Sequence, residues 1–171
     1  AIGTLVHRIL QVIAQQGLGA WTPDSVADRA PAIRAQLTGL GVPREELDAA
    51  VARTQAVINE TLRSERGRWV LARHDEAVSE WELSGVFGGN IYARKLDRSF
   101  VFEGVRWIVD YKTGGNHDEY RPQLEQYAEL VSRIDRRPIK LGLYFPLTGA
   151  WHEWEPTGAR PAESGPRQSS A

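Results

Sequence analysis

Apolar positions recur at helical spacing through the first third of the chain. From Ile2 to Gln16, Leu5, Ile9, Val12 and Ile13 fall on one stripe and Gly17 follows the last turn, which predicts an α-helix. A second helix is predicted from about Pro23 to Leu40, entered through Thr22 and closed by Gly39 and Gly41. A third starts near Pro43, where Glu45 and Glu46 complement the helix dipole, and continues through Leu47, Val51, Thr54 and Ile58 toward Leu62. After the polar run Arg63 to Arg68 the pattern changes. Ala77–Leu83, Ile91–Phe102 and Val105–Tyr111 are rich in β-branched and aromatic residues, and Gly85, Gly88, Gly89, Asn90 and Gly104 mark two hairpin-like turns between them. Helical spacing returns from Gln123 to Ile134, Leu141–Pro146 reads as a short apolar strand, and Trp151–Glu155 adds another. The order of helices, antiparallel strands, helix and strand specifies an α/β or α+β core rather than a bundle or a barrel.

A chain of 171 residues suits one domain, here 1–155, with 1–70 mainly helical and 74–155 carrying the sheet and the catalytic core. From Pro156 to Ala171 the residues are mostly Pro, Gly, Ser, Ala and Arg, the composition of a disordered tail or linker. The chain opens directly into helix without a Met, so it is expected to be a piece of a longer polypeptide. No apolar stretch approaches a membrane span, and His7 and Arg8 interrupt the short apolar run at the start, so no membrane partner is expected and the location is expected to be cytoplasmic.

The absence of cysteine excludes disulfide scaffolds, thiolate zinc sites, cysteine-ligated clusters and cysteine nucleophiles. Any metal must then be held by oxygen and imidazole, which favours Mg²⁺ or Mn²⁺. A net charge of -1 argues against a protein that coats DNA by neutralising phosphates. It argues less against a nuclease, in which a metal-binding carboxylate cluster subtracts from the total.

The stretch that carries chemistry is Leu96-Asp97-Arg98 followed by Trp107 to Gly114. Residues two apart on a strand point to the same side, roughly 6.6 Å along the chain, so Asp110 and Lys112 project together where the strand meets a Gly-rich turn. The preceding strand delivers Asp97 across a hairpin. Two neighbouring carboxylates raise one another's pKa unless a cation lies between them, and a divalent metal resolves the conflict. Lys112 is then placed to orient or deprotonate a water, or to offset charge on a phosphate. A bare D-x-K is more often a surface ion pair, with Asp97 a turn residue. Placement favours the site, because this pair closes the run Trp107 to Val109, which should be buried on both faces.

With these residues in view, the sequence resembles the RecB-type nuclease domain of the PD-(D/E)XK superfamily, as found at the C-terminal end of AddA- and UvrD-like helicase-nucleases. Four pieces carry the resemblance in order, over Gly3 to about Trp154. Gly3-Thr4-Leu5-Val6-His7 resembles the G-x-x-x-H helix, Leu96-Asp97-Arg98 the I-D-R segment, Val109 to Gly114 the D-Y-K-T-G motif, and Gln123 to Tyr127 the Q-x-x-x-Y helix. The resemblance implies a restriction-endonuclease-like α/β core, a mixed central sheet flanked by helices with a helical N-terminal segment. It implies a metal shell of His7, Asp97, Asp110 and the Tyr111 backbone carbonyl, at most two divalent ions, and Asp97, Asp110 and Lys112 as the catalytic group. Glu80 matches an acidic position ahead of the core strands, and Gln123 and Tyr127 would support the site or hold DNA. Arg94 departs from the glycine that many relatives carry three residues before the first aspartate. The implied function is Mg²⁺- or Mn²⁺-dependent DNA cleavage in double-strand break repair and recombination, on DNA, in particular single-stranded DNA, delivered by helicase motor domains. No Walker-type loop is present here. The rival readings are a non-catalytic nuclease-like domain that binds DNA or scaffolds a helicase, and a stand-alone nuclease.

Other candidates have blander readings. Read alone, His7 is a half-buried helix histidine, and Gln123 and Tyr127 are a core-edge pair four apart on one helix face. His117, Asp118 and Glu119 read as a solvated polar loop that can border the DNA path. His74 and His152 read as structural, and Trp69, Trp107, Trp151 and Trp154 as core. Arg63, Arg66, Arg68 and Arg73 form one basic run and Arg133, Arg136 and Arg137 another, with the first favoured for guiding phosphates.

Overall fold

The computed structural model describes residues 1–87 and 90–158. The predicted turn at Gly88-Gly89 and the tail from 159 onward lie outside the described residues. A helical N-terminal part precedes a five-stranded sheet in the order β1-β2-β3-β4-β5: Asp75–Phe87, Asn90–Phe102, Val105–Tyr111, Ile139–Phe145 and Ala150–Trp154. The strands pair antiparallel except β3 with β4, which run parallel. The last helix, α6, forms the crossover between those two strands.

The first helix, α1, spans Ile2–Gln16 as its apolar stripe predicts, and Leu5, Val6, Ile9, Leu10 and Ile13 are buried. The predicted second helix is two: α2, Pro23–Asp28, and α3, Ala30–Gly39. Pro31, in the first turn of α3, has no N–H to continue the ladder of α2, and the chain turns at Arg29. Helix α4, Leu47–Arg63, follows a 3₁₀ turn at Arg44–Glu46 and buries Val51, Val57, Ile58 and Leu62. A helix absent from the sequence reading, α5, spans Glu65–Leu71. It is too short to display a period, and its start is set by the Ser64 hydroxyl, which accepts the Gly67 N–H at 3.0 Å. Only glycine fits at Gly67, because a Cβ there would run into the Thr61 carbonyl.

The run His117 to Glu119 is helix, a correction to its reading as a loop. Helix α6 spans His117–Ser132 and includes Pro122. Asn116 caps it, accepting the N–H groups of Asp118 and Glu119, while Glu119 reaches back to Asn116. That cap nucleates the helix well ahead of Gln123, and Pro122 costs one internal hydrogen bond near the start, where the loss is tolerated.

The sheet separates two cores. Helices α1, α4 and α5 pack with Phe100, Trp107, Val109, Tyr111 and Tyr144, whereas α6 packs with Leu96, Ile108, Leu141, Leu143 and Phe145. Alternate residues of β3 therefore serve opposite cores, and β3 and β4 are buried over nearly their whole length. The described start of the expected tail is anchored: the Thr157 N–H donates to Glu125 on α6 at 2.9 Å. Arg94 sits in a regular ladder opposite Leu83, so its departure from glycine leaves the strand intact.

Candidate active site

Four elements converge on the carboxyl end of β3. Asp110 lies in the last turn of the β3 pleat and is 2% exposed. Asp97, on β2, follows directly from the register that pairs Arg98 with Val109. Its Oδ2 accepts the Tyr111 N–H at 2.7 Å, which fixes the carboxylate against β3. From α1, His7 places Nε2 2.9 Å from Asp97 Oδ1, with its ring edge-on to Tyr111. Gly3 makes this approach possible. One turn before His7, it lies so close to Thr113 that any Cβ would collide with the threonine side chain. The glycine of G-x-x-x-H thus meets the threonine of D-Y-K-T-G, while the histidine one turn on meets Asp97 and Tyr111.

Lys112 extends from the end of β3, its N–H donating to the Tyr144 carbonyl at 2.9 Å. Its ammonium lies 2.6 Å from Asp110 Oδ2 and donates to Gln123 Oε1 at 3.3 Å. Gln123 Nε2 donates to the Tyr127 hydroxyl at 2.6 Å, which donates to the Lys95 carbonyl on β2 at 3.3 Å. The two α6 residues of Q-x-x-x-Y thus link Lys112 to the β2 backbone. Glu80 joins from β1. Its backbone is left-handed, at φ 57°, and its carboxylate pairs with Lys95. Ligand atoms of His7, Glu80 and Asp97 lie within 4.8 Å of one another.

The electrostatics of the two aspartates differ. Burial pushes Asp97 up, but hydrogen bonds with His7, Asp110 and the Tyr111 N–H outweigh it and hold Asp97 below the usual carboxylate range. Burial, then the Asp97 charge, pushes Asp110 well above that range, and Lys112 offsets only part of the rise. The hydrogen bond to Asp97 raises His7. Asp110 Oδ2 is buried and faces the Lys112 ammonium at 2.6 Å. The cluster of His7, Glu80 and Asp97, with the buried Asp110 hydrogen-bonded to Asp97, is a set of oxygen and imidazole donors suited to a divalent cation, which compensates closely spaced negative charge.

A sequence model of the PD-(D/E)XK nuclease superfamily matches residues 1–164. The chain belongs to the PD-(D/E)XK nuclease superfamily. Among solved structures, it is similar to a crystal structure described as that of a "putative exonuclease" from Eubacterium rectale, with a TM-score of 0.51 and 17% sequence identity. The match covers 92% of this chain and 59% of that one, so the chain spans a little over half the length of this neighbour. No curated protein sequence matches. The mixed sheet flanked by helices is the restriction-endonuclease-like fold, with a helical N-terminus ahead of it.

The superfamily core accounts for other residues differently. Arg98, next to Asp97, is 3% exposed and donates to the carbonyls of Val70 and Ala72 and to Ser79 Oγ, pinning α5 and β1 to the sheet. His74 stacks on Phe100 at 4.1 Å and contacts the Trp69 carbonyl. Trp107 is buried, and Trp69 packs edge-on against it at 4.9 Å. Of the favoured basic run, Arg66 is held between Trp69 and Trp151, and Arg63 pairs with Glu60. Among the described residues no helix is long and apolar enough to cross a membrane.

Proposed function

We propose that this is a Mg²⁺- or Mn²⁺-dependent deoxyribonuclease domain, the C-terminal nuclease module of a helicase-nuclease that processes double-strand breaks for repair and recombination. Residues 1–155 form the catalytic unit, and the substrate is single-stranded DNA fed from motor domains of the parent protein. The observation that carries the reading is the pair of Asp97 and the buried Asp110, two carboxylates in contact, with Lys112 at 2.6 Å from Asp110 and His7 at 2.9 Å from Asp97.

His7, Asp97, Asp110 and the Tyr111 carbonyl would hold the cation, with Glu80 close enough to serve directly or through a water. A divalent cation there supplies Lewis-acid charge for a phosphoryl oxygen and lowers the pKa of water. The chain's own residues do the rest. Asp97 and Asp110, hydrogen-bonded to each other and backed by His7 and Lys112, would offer it carboxylate oxygens. Lys112, steered by Gln123 and Asp110, presents its ammonium to the attacking water and to charge developing on the phosphate. Tyr127, through the Lys95 carbonyl on β2, and the Asn116 cap hold α6, and hence Gln123, in place.

The test is cleavage of a single-stranded oligonucleotide with Mn²⁺, wild type against Asp110→Ala, in the domain and in the parent protein. Equal rates in both settings sink the enzymatic reading and leave a nuclease-like binding or scaffold domain.

A further inference from the structure

Beside the carboxylates lies a hollow of about 550 Å³, between the loop from Thr113 to Asn116 and the β4–β5 hairpin. Lys112 forms one wall; Phe145, Leu147, Ala150, His117 and His152 form others. The His117 and His152 rings lie 4.9 Å apart at an interplanar angle of 32°, and Phe145 meets His152 edge-on at 6.0 Å. Trp154 backs His117 from the other side at 4.9 Å. Apart from Lys112, none of these residues belongs to the carboxylate site or to the Gln123–Tyr127 chain.

We propose that this hollow is a subsite for the nucleobase of the nucleotide adjoining the scissile phosphate. The inference rests on the DNA-cleavage reading. Three observations select a base. The volume lies within the range of small-molecule pockets, about 300–1,000 Å³, and admits a purine or a pyrimidine. The walls are aliphatic and aromatic, with ring faces and edges on which a flat heterocycle stacks. The charge is wrong for a second phosphate: the cation on the wall is Lys112, already held by Asp110, and Asp118 on the rim is acidic. Because Lys112 belongs both to the hollow and to the carboxylate site, a phosphate at its ammonium places the attached nucleoside at the mouth. Stacking on rings tolerates any base, so the subsite selects for an unpaired base and not for its identity. A duplex substrate would first have to release that base from its stack.

The experiment walks one abasic position along a single-stranded oligonucleotide and reads affinity by fluorescence anisotropy with Ca²⁺ in place of Mn²⁺. Variants His152→Ala and His152→Phe are compared with wild type. One abasic position is expected to weaken wild-type binding by roughly tenfold, the scale of base–aromatic stacking. His152→Ala should flatten that response on intact DNA, and His152→Phe, which keeps a ring without a protonatable nitrogen, should restore it. Substituting one base for another there should change affinity by about twofold or less. A flat walk in wild type, no binding, an unaltered walk in His152→Ala, or a His152→Phe variant that behaves as His152→Ala overturns the subsite. Mn²⁺-dependent cleavage in the same preparation separates the two claims. Cleavage with a flat walk removes the subsite alone, and a responsive walk without cleavage in the domain or the parent protein removes the nuclease reading.

Discussion

Strand β3 buries two charges four residues apart, and the protein treats them in opposite ways. Arg106 is 5% exposed and Asp110 is 2% exposed. Every nitrogen of Arg106 is answered: Nε by Asp135 at 2.8 Å, Nη1 by the Glu76 carbonyl at 3.2 Å, and Nη2 by the Glu76 carboxylate. Arg137 joins both acids, making two cations and two anions. Asp135 is accordingly held low, its burial outweighed by hydrogen bonds from the Arg137 backbone and Arg106. Asp110 has Lys112 at 2.6 Å but also a like charge, Asp97, as neighbour, and its pKa is raised. Both are buried ionisable groups, but only Asp110 is left with a like-charged neighbour in hydrogen-bond contact. A satisfied charge network holds structure together, whereas an unsatisfied one stores electrostatic free energy that a ligand can release.

The sharpest way to break this contrast is Lys112→Ala. Cleavage of single-stranded DNA in Mn²⁺ should fall by about 10³-fold, the scale for removing a positioned charge or proton-transfer group, with the unfolding midpoint almost unchanged. Arg106→Met should do the reverse. It leaves Glu76 and the largely buried Asp135 to Arg137 alone, so urea unfolding should show a loss of about 2 kcal/mol, while cleavage per folded molecule stays at the wild-type level. Comparable losses of activity in the two variants would erase the distinction between the clusters.

Asp110→Asn tests the stored free energy itself. The folded-state pKa of Asp110 is raised, so its favourable contribution is complete below the unfolded value near 4 and is lost as pH climbs through the folded one. His7, also raised, acts in the same sense from its unfolded value near 6.5 upward. Metal-free wild type should therefore lose stability between pH 5 and 8, and Asp110→Asn should exceed it by about 2 kcal/mol at pH 8 but little at pH 5. Saturating Mg²⁺ should stabilise wild type by about 2.7 kcal/mol at a hundredfold excess over Kd and leave the variant unchanged. A variant no more stable than wild type at pH 8 would show that Asp110 bears no strain. The smallest expected effect is in Gln123→Ala, which frees the Lys112 ammonium without removing it: about tenfold in kcat, little in KM, and rescue by Gln123→Glu.

These contrasts were unequally legible in the sequence. The pleat period alone put Asp110 and Lys112 on one side, and a capping residue with a proline or glycine at the right place located the end of α1, the start of α2 and the end of α3. Nothing local marked the partners of Arg106, which lie 30 residues upstream and 29 downstream. Nothing local marked Glu80 either, whose left-handed backbone opposes the ordinary preference of an acidic side chain. Helix α5 escaped because seven residues cannot show a period, and the start of α6 was hidden behind Pro122.

By itself, then, the sequence determined the periodicities, the caps and the few residues chemically able to hold a cation, because those depend on neighbours within a turn or a pleat. It determined that His7 and Gly3 share a helix face, but not what that face meets. The tertiary structure decided that Gly3 abuts Thr113 and brings His7 to Asp97. It decided that Gln123 steers Lys112, and that His117 and His152 enclose a hollow beside them. The reason is physical. Burial and the meeting of distant side chains set the pKa of Asp110 and the satisfaction of Arg106, and both are properties of the packed sheet rather than of any segment within it.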